Sequence, residues 1–123
     1  MRQNQTILLV DTSEKNIEQF KRITEQLKIR LILADNGQEA LDMANGQGPN
    51  LVVIRRDTPV LDALSFSVLL KQSALGRDIP IIVICTDASP HERERFRDAG
   101  CSGCMEEPFS DNDLAEAIKR WLP

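Results

Sequence analysis

Strand-length apolar runs recur along the chain at Ile7-Leu8-Leu9-Val10, at about Arg30 to Leu33, at Leu51-Val52-Val53-Ile54 and at Ile81-Ile82-Val83-Ile84. Polar segments of helical period separate them, which is the alternation of an α/β domain. The last of these runs is so uniformly apolar that both its faces must be covered, as at the centre of a parallel sheet. Ser13 is placed to cap a helix from about Glu14 to Leu27, whose Ile17, Phe20, Ile23 and Leu27 share one face. A short helix from Gln38 to Ala44 is expected to stop at Asn45-Gly46 and Gly48-Pro49, and a third helix to run from Ala63 to Gln72. Ser89-Pro90-His91-Glu92 reads as a sharp helix start, with Glu92 placed to complete a capping box. Cys104-Met105-Glu106 is a weak fifth strand. Ser110 then caps a last helix with Leu114, Ala117, Ile118 and Trp121 in its buried stripe. Five strands alternating with five helices predict a three-layer, doubly wound sheet, with the functional loops at the carboxyl ends of the strands.

Those loops carry Asp11, Thr12 and Ser13 after the first strand, and Arg55, Arg56 and Asp57 after the third. Cys85, Thr86 and Asp87 follow the fourth, and Glu106 and Glu107 the fifth. The first turn has no glycine, so a dinucleotide or flavin phosphate loop is excluded, and one histidine offers little for a metal or a base. The length of 123 residues fits a single domain over 1–123 that can bury a core without disulfides or metals. A net charge of -4 gives no general attraction to nucleic acid or to an anionic membrane, which favours protein or small-molecule partners. The apolar runs are far short of a membrane span, and the polar start Met1-Arg2-Gln3-Asn4-Gln5 lacks a secretory signal's apolar core. With three cysteines, an odd number, a disulfide framework is not expected, and a cytoplasmic location is.

Six segments, taken in order, resemble the receiver domain of two-component response regulators. They are Ile7 to Asp11, Asn36 to Leu41, Pro49 to Val52, Asp78 to Ile81, Ala99-Gly100 and Glu107-Pro108-Phe109. The resemblance covers nearly the whole chain and implies the flavodoxin-like fold with strand order 2-1-3-4-5. It also implies a site in which two acids after the first strand hold Mg²⁺ together with a phosphoaccepting aspartate after the third. A hydroxyl after the fourth strand and a lysine after the fifth then bind the phosphoryl group.

Carried over residue by residue, the resemblance implies a degenerate site. Asp11 matches the first acid, but Thr12 stands in place of the second. Pro59 fixes the register that puts Arg55 at the phosphoacceptor and Asp57 at a position where the family uses a backbone carbonyl. Cys85 takes the place of the hydroxyl, Cys104 that of the switch aromatic, and Glu107 that of the lysine. The charges are thus inverted, a cation at Arg55 facing an anion at Glu107, in a pairing that a planar guanidinium can make bidentate. Arg55 is then either a structural cation replacing the metal among Asp11, Asp57, Glu106 and Glu107, or a solvated arginine at a decayed site.

The expected function is a phosphorylation-independent signalling module, not an enzyme, with no cofactor and no metal. It acts on protein partners, or on a second copy of itself, through the fourth helix, fifth strand and fifth helix. The alternatives are a phosphotransfer-competent receiver using Asp57 and an anion sensor using Arg55 and Arg56. Cys85 and Cys104 are expected as free thiols on adjacent strands, and Cys101 as a small buried residue. The charged helix after Ser89 is expected to form the pairs Glu92 with Arg95 and Glu94 with Arg97.

Overall fold

The computed structural model describes residues 5–123, so the polar start before Gln5 lies outside the described residues. Five parallel strands, β1 (Thr6–Val10), β2 (Arg30–Ala34), β3 (Leu51–Arg55), β4 (Ile81–Cys85) and β5 (Gly103–Glu106), form one sheet in the order β2-β1-β3-β4-β5. The helices are α1 (Glu14–Gln26), α2 (Gly37–Gln47), α3 (Ala63–Lys71), α4 (Pro90–Asp98) and α5 (Asp111–Trp121). This is the expected flavodoxin-like arrangement. Among the described residues no helix is long and apolar enough to cross a membrane.

Strand side chains alternate between two cores, as the period of two requires. Leu8, Val10, Val52, Ile54, Ile81 and Val83 pack with Ala40, Ala44, Phe66, Leu70 and Phe96 on one side. Ile7, Leu9, Leu51, Val53, Ile82 and Ile84 pack with Phe20, Ile23, Leu114 and Ile118 on the other. Each buried valine, leucine, isoleucine or phenylalanine among them contributes about 1.5–3 kcal/mol of hydrophobic stabilisation.

Three local expectations are corrected. The helix α2 runs straight through Asn45-Gly46 and ends only at Gly48, whose φ of 57 is the left-handed stop. The cost of a glycine within the helix, about 1 kcal/mol, is offset by tertiary packing of the stripe that carries Ala40 and Ala44. At α4, Ser89 accepts from the Glu92 amide, but the Glu92 carboxylate turns to Arg56 instead of closing a capping box. The box forms at α5 between Ser110 and Asp113. Neither pair along α4 forms among the described residues; Glu92 bonds Arg56 at 3.0 Å and Arg93 bonds Glu106 at 2.8 Å. The Arg56 partner of Glu92 lies outside the helix, and that pair is partly buried, which strengthens its charge attraction.

The β3–α3 loop is fixed by an unusual turn. Pro59 O accepts from Leu61 N at 2.9 Å, and Val60 between them has φ 72, a positive-φ γ-turn that a β-branched residue adopts only under strain. The same carbonyl accepts from Gly37 N at 3.0 Å, so the loop docks on the start of α2. A Cβ at Gly37 would lie 2.0 Å from Leu61 O and 2.6 Å from Leu61 Cβ. Gly37→Ala is therefore expected to destabilise the protein by about 1–3 kcal/mol, read as a lower midpoint in urea with an unchanged slope; a midpoint equal to wild type would show that the loop is free to retreat.

Candidate functional site

The carboxyl end of β1 delivers Asp11, the end of β3 delivers Arg55, and the segment after β5 delivers Glu107. Arg55 points inward: its Nη1 lies 2.8 Å from Glu107 Oε1 and 3.6 Å from Asp11 Oδ2. The 2.8 Å approach is a close ion pair rather than an aligned hydrogen bond, because no N–H of the buried Nη1 points at an acceptor. Arg55 and Glu107 share no paired hydrogen bonds among the described residues, so the bidentate fork does not form. The nearness of Glu107 outweighs burial and, with Asp11, raises the Arg55 pKa.

Asn16 completes the cluster. Its Nδ2 donates to Asp11 Oδ2 and to Glu107 Oε2, each at 2.8 Å, and Asp11 Oδ1 accepts from Ser13 N at 2.9 Å. The Asp11 side chain is 0% exposed, Glu107 20% and Arg55 37%. Burial pushes the Glu107 carboxyl up, but the Arg55 contact and the Asn16 amide outweigh it and hold the group below its ordinary value. Asn16 is not among the residues expected at the site, although it falls on the same helical stripe as Phe20 and Ile23. A polar side chain on a buried stripe was the available signal.

The segment bearing Glu107 is pinned to α1. Phe109 meets Phe20 edge to face at 6.2 Å, Gln19 Nε2 donates to Phe109 O at 2.9 Å, and Arg22 pairs with Asp111 at 2.8 Å. Pro108 and Phe109 with Ser13, Lys15 and Thr86 line an open groove through which Glu107 meets solvent.

The remaining expected site residues lie apart from this cluster. Thr12 is exposed. Asp57 is 79% exposed and faces Arg56 at 3.6 Å, and Glu106 pairs with Arg93, so neither joins Asp11 and Glu107 around Arg55. Cys85 is buried at the end of β4, where its carbonyl accepts from Glu107 N at 3.0 Å. Cys85 lies opposite Glu106 and Cys104 opposite Val83, which makes the two cysteines diagonal neighbours on one sheet face. All three cysteines are free, and Cys101 is buried against Ser67 at 3.1 Å. Burial, with the neighbouring Cys104 second, pushes the Cys85 thiol up to about 11, which leaves little thiolate at neutral pH.

The chain belongs to the response regulator receiver domain family, whose sequence profile matches residues 7–119. It is 30% identical over 117 residues to the polar-differentiation response regulator DivK of Brucella anthropi, covering 95% of each chain. Among solved structures it is similar to the receiver domain of a sensor histidine kinase of Pseudomonas aeruginosa, which has a magnesium ion coordinated in its active site cleft. The TM-score is 0.86 at 28% identity, over 97% of this chain and 98% of that one. The chemotaxis protein CheY4 of Vibrio cholerae superposes with TM-score 0.89 at 21% identity, over 97% and 99% of the two chains, a likeness of fold.

Two outcomes are expected of the cluster. Arg55→Asp should destabilise by about 1–3 kcal/mol, a value reduced from a fully buried pair because the guanidinium is partly solvated. Adding Glu107→Lys should recover part of that loss, and a strictly additive double-mutant cycle in denaturant would reject the pairing. The acid limb follows from the lowered Glu107 pKa. A depressed carboxyl stabilises the fold above its unfolded value and loses that contribution as pH falls through the folded one. Glu107→Gln should therefore flatten the pH dependence of stability below the ordinary value of 4.5; an unchanged acid slope would assign the dependence to other carboxyls.

Proposed function

We propose that residues 1–123 are a single receiver-like domain of a two-component pathway that signals through protein contacts without being phosphorylated. The observation that carries this reading is the Arg55 guanidinium at the end of β3, held against Glu107 and Asp11. On the family resemblance this is the phosphoacceptor position. A guanidinium has no acceptor oxygen and keeps its proton at any physiological pH, so it cannot form an acyl phosphate.

The residues present also do not fit the magnesium ion that the family implies. Both Asp11 oxygens already accept hydrogen bonds, and Arg55 stands within 3.6 Å of the same carboxylate. No group of three or more histidine, cysteine, aspartate or glutamate side chains converges as metal ligands among the described residues.

Two other readings find less support. Asp57, the alternative phosphoacceptor, is solvated and beside Arg56 rather than near Asp11. An anion sensor needs free guanidinium groups, whereas Arg55 and Arg56 are each paired with carboxylates. The module is read as a cytoplasmic, non-enzymatic partner of other signalling proteins, in keeping with relatives that are response regulators and a sensor kinase receiver. In this reading its docking surface is α4, β5 and α5, for a protein partner or a second copy, and it takes no nucleic acid, membrane or cofactor.

Incubation with acetyl phosphate and Mg²⁺ should leave the intact mass unchanged, and the same Mg²⁺ alone should leave the melting temperature unchanged, because a site without affinity offers no linkage energy. A phosphoadduct mapped to Asp57 would falsify this reading.

A further inference from the structure

Helix α4 is poorly anchored by its core. It buries one side chain, Phe96, whereas α3 buries Ala63, Phe66, Ser67 and Leu70. Its carboxyl end is secured by backbone hydrogen bonds leading into β5, Cys101 N to Phe96 O and Ser102 N to Ile81 O. Among the described residues its amino end has no such tether, and it is reached through the Thr86–Ser89 loop, in which Asp87 takes φ 53.

What holds that end is Arg56. Its Nη1 donates to Thr86 O at 3.1 Å and to Glu92 Oε1 at 3.0 Å, joining the end of β3 to both the loop and the first turn of the helix. Glu92 gives up its local capping bond to do so. The next residue, Arg93, reaches the other way to Glu106 at the end of β5 at 2.8 Å. Consecutive residues of opposite charge thus tie one helical turn to two different strands. With so little apolar burial on α4, these polar ties set where its first turn sits.

We propose that Arg56 is a positioning residue, the centre of a charge latch that presets the α4 part of the docking surface, and that a loss of screening-sensitive attraction at this point frees the first turn of α4. The latch rests on the preceding reading only in taking α4 as part of that surface. It is separate from the Arg55 cluster, because Arg56 contacts neither Asp11 nor Glu107 among the described residues.

Hydrogen exchange by mass spectrometry on the full chain tests it. Arg56→Met and Glu92→Gln should each speed exchange across residues 86–93 by about tenfold, the scale of one charge-assisted hydrogen bond, while β1 to β3 stay as in wild type. Combining them should add little, and about 1 M salt should reproduce part of the effect in wild type but not in the double variant. Arg95→Met removes an exposed arginine of the same helix that has no ion pair among the described residues, and should change nothing. Unchanged exchange in the two latch variants, effects that multiply, or an equal response to Arg95→Met would overturn the latch. If Arg56→Met fails to fold, the near-isosteric Glu92→Gln carries the same decision. A phosphoadduct in the mass assay above would remove the functional reading and leave these exchange rates untouched, so the two failures are distinguishable.

Discussion

Two carboxylates share one amide nitrogen at the carboxyl end of this sheet. Asp11 and Glu107 both accept from Asn16 Nδ2, which places two negative charges close together in a partly desolvated crevice. Without a cation at that spot one of them would have to take up a proton, or the strand ends would separate. Arg55 supplies the cation, and it can do so because β3 is fully buried up to Ile54 and releases its next side chain at the level of the two acids. The surrounding contacts serve this balance. Ser13 satisfies the second Asp11 oxygen, and Phe109 and Gln19 fix the segment that carries Glu107.

Adjacent side chains on an extended segment point to opposite sides, and the dipeptide Arg55-Arg56 exploits that alternation. One guanidinium turns toward the layer of α1 and α5, where it neutralises carboxylates from β1 and the segment after β5. The other turns toward α4 and its loop. Two like charges in sequence therefore never compete for the same partners, and each finds its own acid on a different element.

Much of this was legible in the chain. The strands and their order followed from the apolar runs and from the family resemblance, because a buried parallel sheet needs uniformly apolar central strands and Ile81 to Ile84 supplies one. The pairing of Arg55 with Glu107 followed from Pro59, which fixes the loop register, and from Glu107 preceding Pro108-Phe109. Other features depended on distances that sequence does not encode. Glu92 has the spacing of a capping residue, and only the proximity of Arg56 in three dimensions redirects it. The course of α2 past Gly46 depended on Ala40 and Ala44 being covered by other elements. Asp57, equally acidic in sequence, ends in solvent beside Arg56.

The position of Asn16 has a consequence for chemical ageing. Hydrolysis of its amide would add a third carboxylate to Asp11 and Glu107 and remove the donor that joins them. The usual route to that product requires the following backbone nitrogen to attack the side-chain carbonyl carbon. Here that nitrogen belongs to Ile17 and is bonded to Ser13 O at 2.9 Å within the first turn of α1, while the Asn16 side chain is buried and held at both acids. The helix start that aims the amide at the carboxylates also keeps it from that reaction.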